Sequence, residues 1–172
     1  SVVTSFDNLG NCTAQVNNLI LTQSDNCSIA STTWAYTGAT TGTGSGVDAS
    51  GLFELGVTTV TYTVTDGSGN VTTCFFTVTV ADDEAPIIAC PNDTSVVTSF
   101  DNLGNCTAQV NNLILTQSDN CSIASTTWAY SGVTAGSGTG VDASGLFELG
   151  VTTVTYIVTD GSGNVTTCFF TV

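Results

Sequence analysis

The chain has 172 residues, with 14 acidic side chains, no Lys, Arg or His, and a net charge of −14. So one-sided a charge repels phosphate backbones and anionic lipid, which excludes nucleic-acid and membrane-surface binding. Without His or Lys the usual general bases and nucleophile activators are missing, so a non-enzymatic role is expected.

SVVTSFDNLGNC opens the chain at Ser1 and returns verbatim at Ser95, a period of 94 residues. Residues 95–172 match residues 1–78 at 72 of 78 positions. The chain therefore reads as two tandem domains, 1–81 and 86–172, joined by an acidic linker at 82–85. In the first copy Trp34, like its duplicate Trp128, lies in an expected strand and is assigned to the core. Five of the six differences between copies fall in Thr37–Ser45 against Ser131–Thr139, and a glycine-rich stretch that tolerates change is expected to be an exposed loop.

Val60, Tyr62 and Val64 then alternate with Thr59, Thr61, Thr63 and Thr65, the period of a half-buried strand. The sixth difference, Thr63 against Ile157, falls on the outward face of that strand, where Ile is either a lone apolar residue or a contact between modules. Asp66-Gly67-Ser68-Gly69-Asn70 is a cluster of turn formers suited to a tight hairpin. The returning strand carries Cys74, Phe76, Val78 and Val80 on one face and Phe75, Thr77 and Thr79 on the other.

Ala81-Asp82-Asp83-Glu84-Ala85-Pro86 is short, charged and closed by proline, so it restricts the angle between modules. In the second copy further strands are expected at Ile87–Ala89, Ser95–Phe100, Cys106–Val110 and Ser125–Tyr130. No window has a helical period, and β-branched and aromatic residues dominate the apolar set. The expected class is all-β, two tandem immunoglobulin-like β-sandwich modules. Apolar runs are only a few residues long against the ~20 of a membrane-spanning helix. With neither a signal peptide nor an anchor visible, an interior fragment of a longer chain is expected.

Seven cysteines in a Thr- and Gly-rich chain point to disulfides in an oxidising, extracellular setting. Zinc binding needs close Cys-x-x-Cys pairs or histidines, and neither is present.

Each copy carries Gly-Asn-Cys, Asp-Asn-Cys, Gly-Val-Thr-Thr-Val-Thr-Tyr-x-Val-Thr-Asp-Gly-Ser-Gly-Asn and Cys-Phe-Phe-Thr-Val in that order. The second adds an Ala-Pro-Ile-Ile-Ala-Cys-Pro opening, before the point at which the first copy begins. This series resembles the hyalin repeat (HYR) module, an immunoglobulin-like domain of extracellular adhesive proteins in animals and bacteria. Long arrays of near-identical, lysine-free modules also resemble bacterial surface adhesins, including those of gliding bacteria. A full module holds Cys90, Cys106, Cys121 and Cys168, which allow three pairings. The immunoglobulin-like arrangement, with first and last strands side by side, implies Cys90 with Cys168. That leaves Cys106 with Cys121, Cys12 with Cys27, and Cys74 unpaired. The odd count does not itself choose, since the other pairings orphan Cys12 or Cys27 instead.

Candidate ligand sites are few. Asp82, Asp83 and Glu84 gather hard oxygen donors at the module junction, where Ca2+ would stiffen the linker. Asp66, Ser68 and Asn70 mimic the 1, 3, 5 spacing of a calcium loop, but the Gly at 6 and Glu at 12 are absent. Asp25, Asp48 and Asp66 sit in turn-like contexts, where Asp caps backbone amides. Asn11, Asn26, Asn70, Asn92, Asn105, Asn120 and Asn164 each begin an Asn-x-Ser/Thr glycosylation sequon. The expected role is a structural and adhesive module of a secreted or cell-surface repeat protein, forming a rigid stalk or filament. Its expected partners are neighbouring modules of the same chain, with other copies laterally or surface glycans as further ones. A receptor or carbohydrate-binding module using Thr37–Gly46 and Ser131–Gly140 is the alternative, weakened by the lack of aromatic or charged side chains there.

Overall fold

Branched and aromatic side chains pack well on a pleated surface and lose rotamer freedom in a helix, so their alternation with threonine favours extended chain. The computed structural model describes residues 2–6, 10–98 and 106–172, and its regular elements are all strands. The chain divides into unit 1, Ser1–Asp83, and unit 2, Glu84–Val172.

Unit 1 contains β1 (Val2–Phe6), β2 (Thr13–Val16), β3 (Ile29–Gly38), β4 (Gly42–Ser45), β5 (Gly51–Glu54), β6 (Gly56–Asp66) and β7 (Val71–Ala81). Its large sheet runs β1-β7-β6-β3-β4, with β1 parallel to β7 and the other neighbours antiparallel. β2 and β5 pair separately. Ala14, Val16 and Phe53 from that pair meet Tyr36, Val60, Tyr62, Val78 and Val80 from the large sheet to form the core. The result is an immunoglobulin-like sandwich. The β6–β7 hairpin closes where Asp66 N–H donates to Asn70 O at 3.0 Å, with Gly69 at φ +88°.

Unit 2 repeats the plan with β8 (Ile87–Ala89), β9 (Thr107–Val110), β10 (Thr116–Ser118), β11 (Ile123–Gly132), β12 (Gly136–Thr139), β13 (Gly145–Glu148), β14 (Thr152–Asp160) and β15 (Val165–Thr171). Its large sheet is β12-β11-β14-β15, with β13 on β9 and β10 on β8 as separate pairs. Val110, Leu113, Leu115, Phe147, Val154, Tyr156, Val158 and Phe170 form its core.

Three expectations need correction. The strand expected at Ser95–Phe100 is not formed at 95–98, and Phe100 lies outside the described residues. In unit 1 the equivalent β1 pairs with Thr77–Ala81; of the matching positions in unit 2 the chain contains only Thr171 and Val172. Asp93 takes up that edge instead, its Oδ1 accepting from Thr171 N–H at 2.7 Å.

The stretch Thr37–Ser45 is not a loop throughout. It is the end of β3, a turn, and β4, which pairs back on Trp34 and its neighbours. All five differing residues, 37, 39, 41, 43 and 45, are exposed. The intervening positions are held: Thr40 Oγ1 accepts from Glu54 N–H at 2.8 Å, and Gly42 and Gly44 lie against Tyr36 and Trp34. Alternation along a strand, rather than loop freedom, separates tolerant from constrained positions.

Trp34 and Trp128 are half-buried rather than central. Each stacks on the tyrosine two residues along, at 4.6 Å for Trp34–Tyr36 and 4.7 Å for Trp128–Tyr130, and covers a glycine of the neighbouring strand.

Candidate functional site

Two disulfides are expected to close each complete module. Cys90 follows β8 and Cys168 lies within β15, with Cα atoms 6.1 Å apart, inside the range a disulfide requires, and the two are bonded. Cys12 and Cys121 are also disulfide-bonded, whereas Cys27, Cys74 and Cys106 are exposed free thiols. The expected pairs Cys12–Cys27 and Cys106–Cys121 are therefore not formed. A sulfur makes one such bond, and Cys12 and Cys121 are already engaged.

The acidic linker does not gather into one ligand set of its own. Asp82 is buried, Asp83 exposed and Glu84 half-buried. Within unit 2, however, Asp119 on the loop after β10 and Asp160 at the end of β14 bring carboxylate oxygens within 4.8 Å of each other. Asp119 Oδ1 accepts from the amides of Cys121 and Ser122, each at 2.9 Å, while its Oδ2 is buried and accepts no hydrogen bond from the protein. Asp160 is 2 % exposed. Its Oδ1 accepts from the amides of Ser162, Gly163 and Asn164 at 2.9, 2.6 and 2.8 Å, and its Oδ2 from Asn164 Nδ2 at 2.8 Å. Burial pushes this carboxyl up, but the hydrogen bonds from Asn164, Gly163 and Ser162 outweigh it, so it sits below the usual carboxylate range.

Two neighbouring anions repel, and the chain carries no cationic side chain to offset them. Hard oxygen donors of this kind suit Ca2+, which takes 6–8 oxygens. The pair offers two carboxylates of that kind side by side. In unit 1 the equivalent Asp25 and Asp66 act as turn caps, Asp25 Oδ1 on Cys27 N–H at 2.8 Å and Asp66 Oδ1 on Ser68 N–H at 2.7 Å. Asp48 likewise caps Ser50 N–H at 2.9 Å. Capping lowers the pKa of Asp48 and Asp66, chiefly through Ser50 and Asn70 respectively.

Of the sequon residues, Asn11, Asn26, Asn70 and Asn92 are exposed, Asn120 and Asn164 half-buried, and Asn105 lies outside the described residues. Asn70 Nδ2 donates to Asp66, and Asn164 Nδ2 donates both to Asp160 and to Glu84 O at 2.9 Å. The nitrogen a glycan would occupy is therefore already committed at Asn164. The segments Thr37–Gly46 and Ser131–Gly140 present exposed Thr, Ser and Gly on β4 and β12, a surface without the aromatic platforms that carbohydrate binding favours.

Sequence reasoning placed the tyrosines only on strand faces and missed what their hydroxyls do. Tyr62 Oη donates to Leu19 O and accepts from Ala49 N–H at 3.1 Å. Tyr156 Oη donates to Leu113 O at 2.5 Å, 43 residues away along the chain. Tyr36 and Tyr130 donate to Ala49 O and Ala143 O. The signal available was an inward Tyr in a strand otherwise lined by Val, since a buried hydroxyl requires a partner.

A family model described as HYR domain matches residues 3–80. Among solved structures, the chain is similar to the fibronectin(III)-like modules of Clostridium thermocellum CbhA, at 14% identity over 99% of this chain and 88% of that one, with a TM-score of 0.39. It is also similar to the human Desmocollin-1 ectodomain, at 13% identity over 99% of this chain and 35% of that one, with a TM-score of 0.32. No curated protein matches it.

Proposed function

We propose that this chain, whose residues 3–80 match the HYR family model and recur at 72 of 78 positions in the second copy, is a non-enzymatic structural stretch of a secreted or cell-surface repeat protein of adhesion type. Its modules would join into a stiff stalk or filament. The observation that carries this reading is the near-verbatim tandem repeat, 72 of 78 positions, in which each unit closes a core of its own. Uniform modules that depend mainly on themselves and their neighbours suit length and durability rather than chemistry. Described residues include no helix long and apolar enough to cross a membrane. Neighbouring modules are the first partners in this reading, and lateral association with other copies or surface glycans the next. Electron microscopy of the native material tests it. Long beaded threads are expected, and isolated short particles would overturn it.

Calcium remains part of the proposal, supported by Asp119 and Asp160 rather than by Asp83. Removing divalent ions with EGTA should lower the melting temperature of unit 2. An unchanged transition removes calcium from the account.

A further inference from the structure

The outward face of the large sheet in each unit carries no charge, although the chain has 14 acidic residues and no basic ones. Along β3, β4, β6 and β7 the outward positions are held mainly by threonine, and β11, β12, β14 and β15 repeat the pattern. Of the acidic residues, only Asp66 and Asp160 fall within these strands. Both take the inward phase, where they cap the amides of Ser68 and Ser162. The copies differ at four outward positions, 37, 43, 45 and 63, and the counterparts Ser131, Ser137, Thr139 and Ile157 are all uncharged. Neutrality is kept where identity is not.

One cross-strand row on this face has a knob at one end and a hollow at the other. Phe75 stands opposite Thr61, Thr61 opposite Ala35, and Ala35 opposite Thr43. Phe75 is 73% exposed. Two strands away lies a groove of about 380 Å³, lined by Ala35, Gly44, Thr33, Thr61 and Thr63 among others. Unit 2 builds the same row from Phe169, Thr155, Ala129 and Ser137, with a groove of about 380 Å³ at Ala129 and Gly138 and Phe169 also 73% exposed. Neighbouring strands lie ~4.8 Å apart, so knob and hollow are separated by about 10 Å in both units. Covering such a ring removes about 150–250 Å² from water.

We propose that this face is a self-association surface, on which a second copy of the chain docks about a two-fold axis passing near Thr61, or near Thr155 in unit 2. The axis seats Phe75 of each copy in the Ala35 groove of the other, the reciprocal contact of an isologous interface. Uncharged faces meet while the acidic groups stay outside in water, so like-charge repulsion is least in this arrangement. Four strands at ~4.8 Å spacing and about nine residues at ~3.4 Å give roughly 600 Å² per module. A standard interface buries about 800 Å² per partner, so one pair of modules holds weakly and a repeat array gains by joining several. The inference deepens the stalk reading, resting on its expectation of lateral association between copies, and names the surface.

Sedimentation equilibrium of the 172-residue chain tests this, with EDTA present and the exposed thiols of Cys27, Cys74 and Cys106 alkylated, so that neither metal ions nor new disulfides join copies. Dimers should form as concentration rises toward about 1 mM. Their dissociation constant should fall as NaCl goes from about 0.05 M to about 0.5 M, because screening weakens repulsion between acids off the face. Removing both knobs, Phe75→Asp with Phe169→Asp, should weaken association at least roughly tenfold. Filling both hollows, Ala35→Leu with Ala129→Leu, should weaken it from the other end of the row. Leu52→Asp with Leu146→Asp, at positions 53% and 58% exposed on the small sheets, should change it less than about twofold. Urea unfolding followed by tryptophan fluorescence confirms that each variant is folded. A chain still monomeric at about 1 mM in about 0.5 M NaCl would give the face to a different occupant and overturn the proposal. Association indifferent to the knob and hollow variants, or equally lost in the Leu52 and Leu146 variant, would also overturn it. None of these outcomes touches the beaded-thread test, which a single unpaired thread also satisfies.

Discussion

Tyr156 shows how one hydroxyl ties distant parts of a sandwich together. Its ring is fully buried beside Phe170, and its oxygen reaches Leu113 O and Val141 O across the layers. Burial pushes the phenol from 10.0 up to about 12. The folded state therefore keeps a proton that the unfolded chain releases above pH ~10. Stability from this group is intact below that pH and is lost as pH rises toward about 12. Tyr36, Tyr62 and Tyr130 are shifted upward too, first by burial, so they act in the same direction. Denaturant unfolding measured from about pH 8 to about 12 should show this decline. Tyr156→Phe should flatten it and cost about 0.5–1.5 kcal/mol at neutral pH, the net worth of one hydrogen bond, since Leu113 O and Val141 O keep the amides of Ala143 and Leu115 as donors. A variant as stable as the parent, with the same alkaline fall, contradicts this role.

Gly44 makes the opposite point, that an absent side chain is a requirement. A Cβ there would lie 2.1 Å from Trp34 Cζ2, so Gly44→Ala must displace the indole from its stack on Tyr36. A loss of about 1–3 kcal/mol is expected in chemical denaturation. Thr43→Ser, which the second copy carries at Ser137, should be neutral within about 0.5 kcal/mol. Equal effects would mean the glycine is incidental.

Among elements, the β6–β7 hairpin was the most legible. Alternation marked Val60, Tyr62, Val78 and Val80 as inward, and they are buried; Phe75, assigned outward, is 73% exposed. Such strands announce themselves because half of their residues meet water. The short glycine-rich β4 and β12 do not, since Gly has no side chain to alternate and the pairing is fixed by Trp34 and Trp128 from the adjacent strand. The Asp119–Asp160 approach was equally hidden. The two residues are 41 positions apart, and each reads locally as a turn cap. Cys106 and Cys121 were left as a pair once the immunoglobulin-like arrangement joined Cys90 to Cys168, but such a remainder carries no information about which thiols stay free.

The element most dependent on covalent support is β8, three residues long and half exposed. Loss of the 78-residue link between Cys90 and Cys168, by Cys168→Ser, should cost unit 2 roughly 4.5 kcal/mol in the chain-entropy account. Urea titration followed by Trp128 fluorescence reads this directly. A cost under about 1 kcal/mol would place the stability of unit 2 in its core instead.

The whole molecule is dominated by like charge. With 14 acidic groups and nothing opposite, self-repulsion opposes folding and is relieved by screening. Raising NaCl from about 0.01 M to about 1 M shortens the Debye length from about 30 Å to about 3 Å, so the melting temperature should rise. A fall with salt would reveal attractive electrostatics that the residue inventory does not contain. The absence of Lys and Arg also leaves no trypsin cleavage site, an advantage to a protein that persists outside cells.

The bond from Cys90 to Cys168 also decides what happens when such a chain is pulled from its ends. Tension entering at the start of unit 2 crosses directly to its last strand, so the 78-residue span between the two sulfurs is bypassed. That span would stretch to about 270 Å if unravelled, and the crosslink holds all of it out of the load path. In a tether made of such modules only the residues outside that loop, 94 − 78 = 16 per repeat, would lengthen before covalent bonds carried the strain.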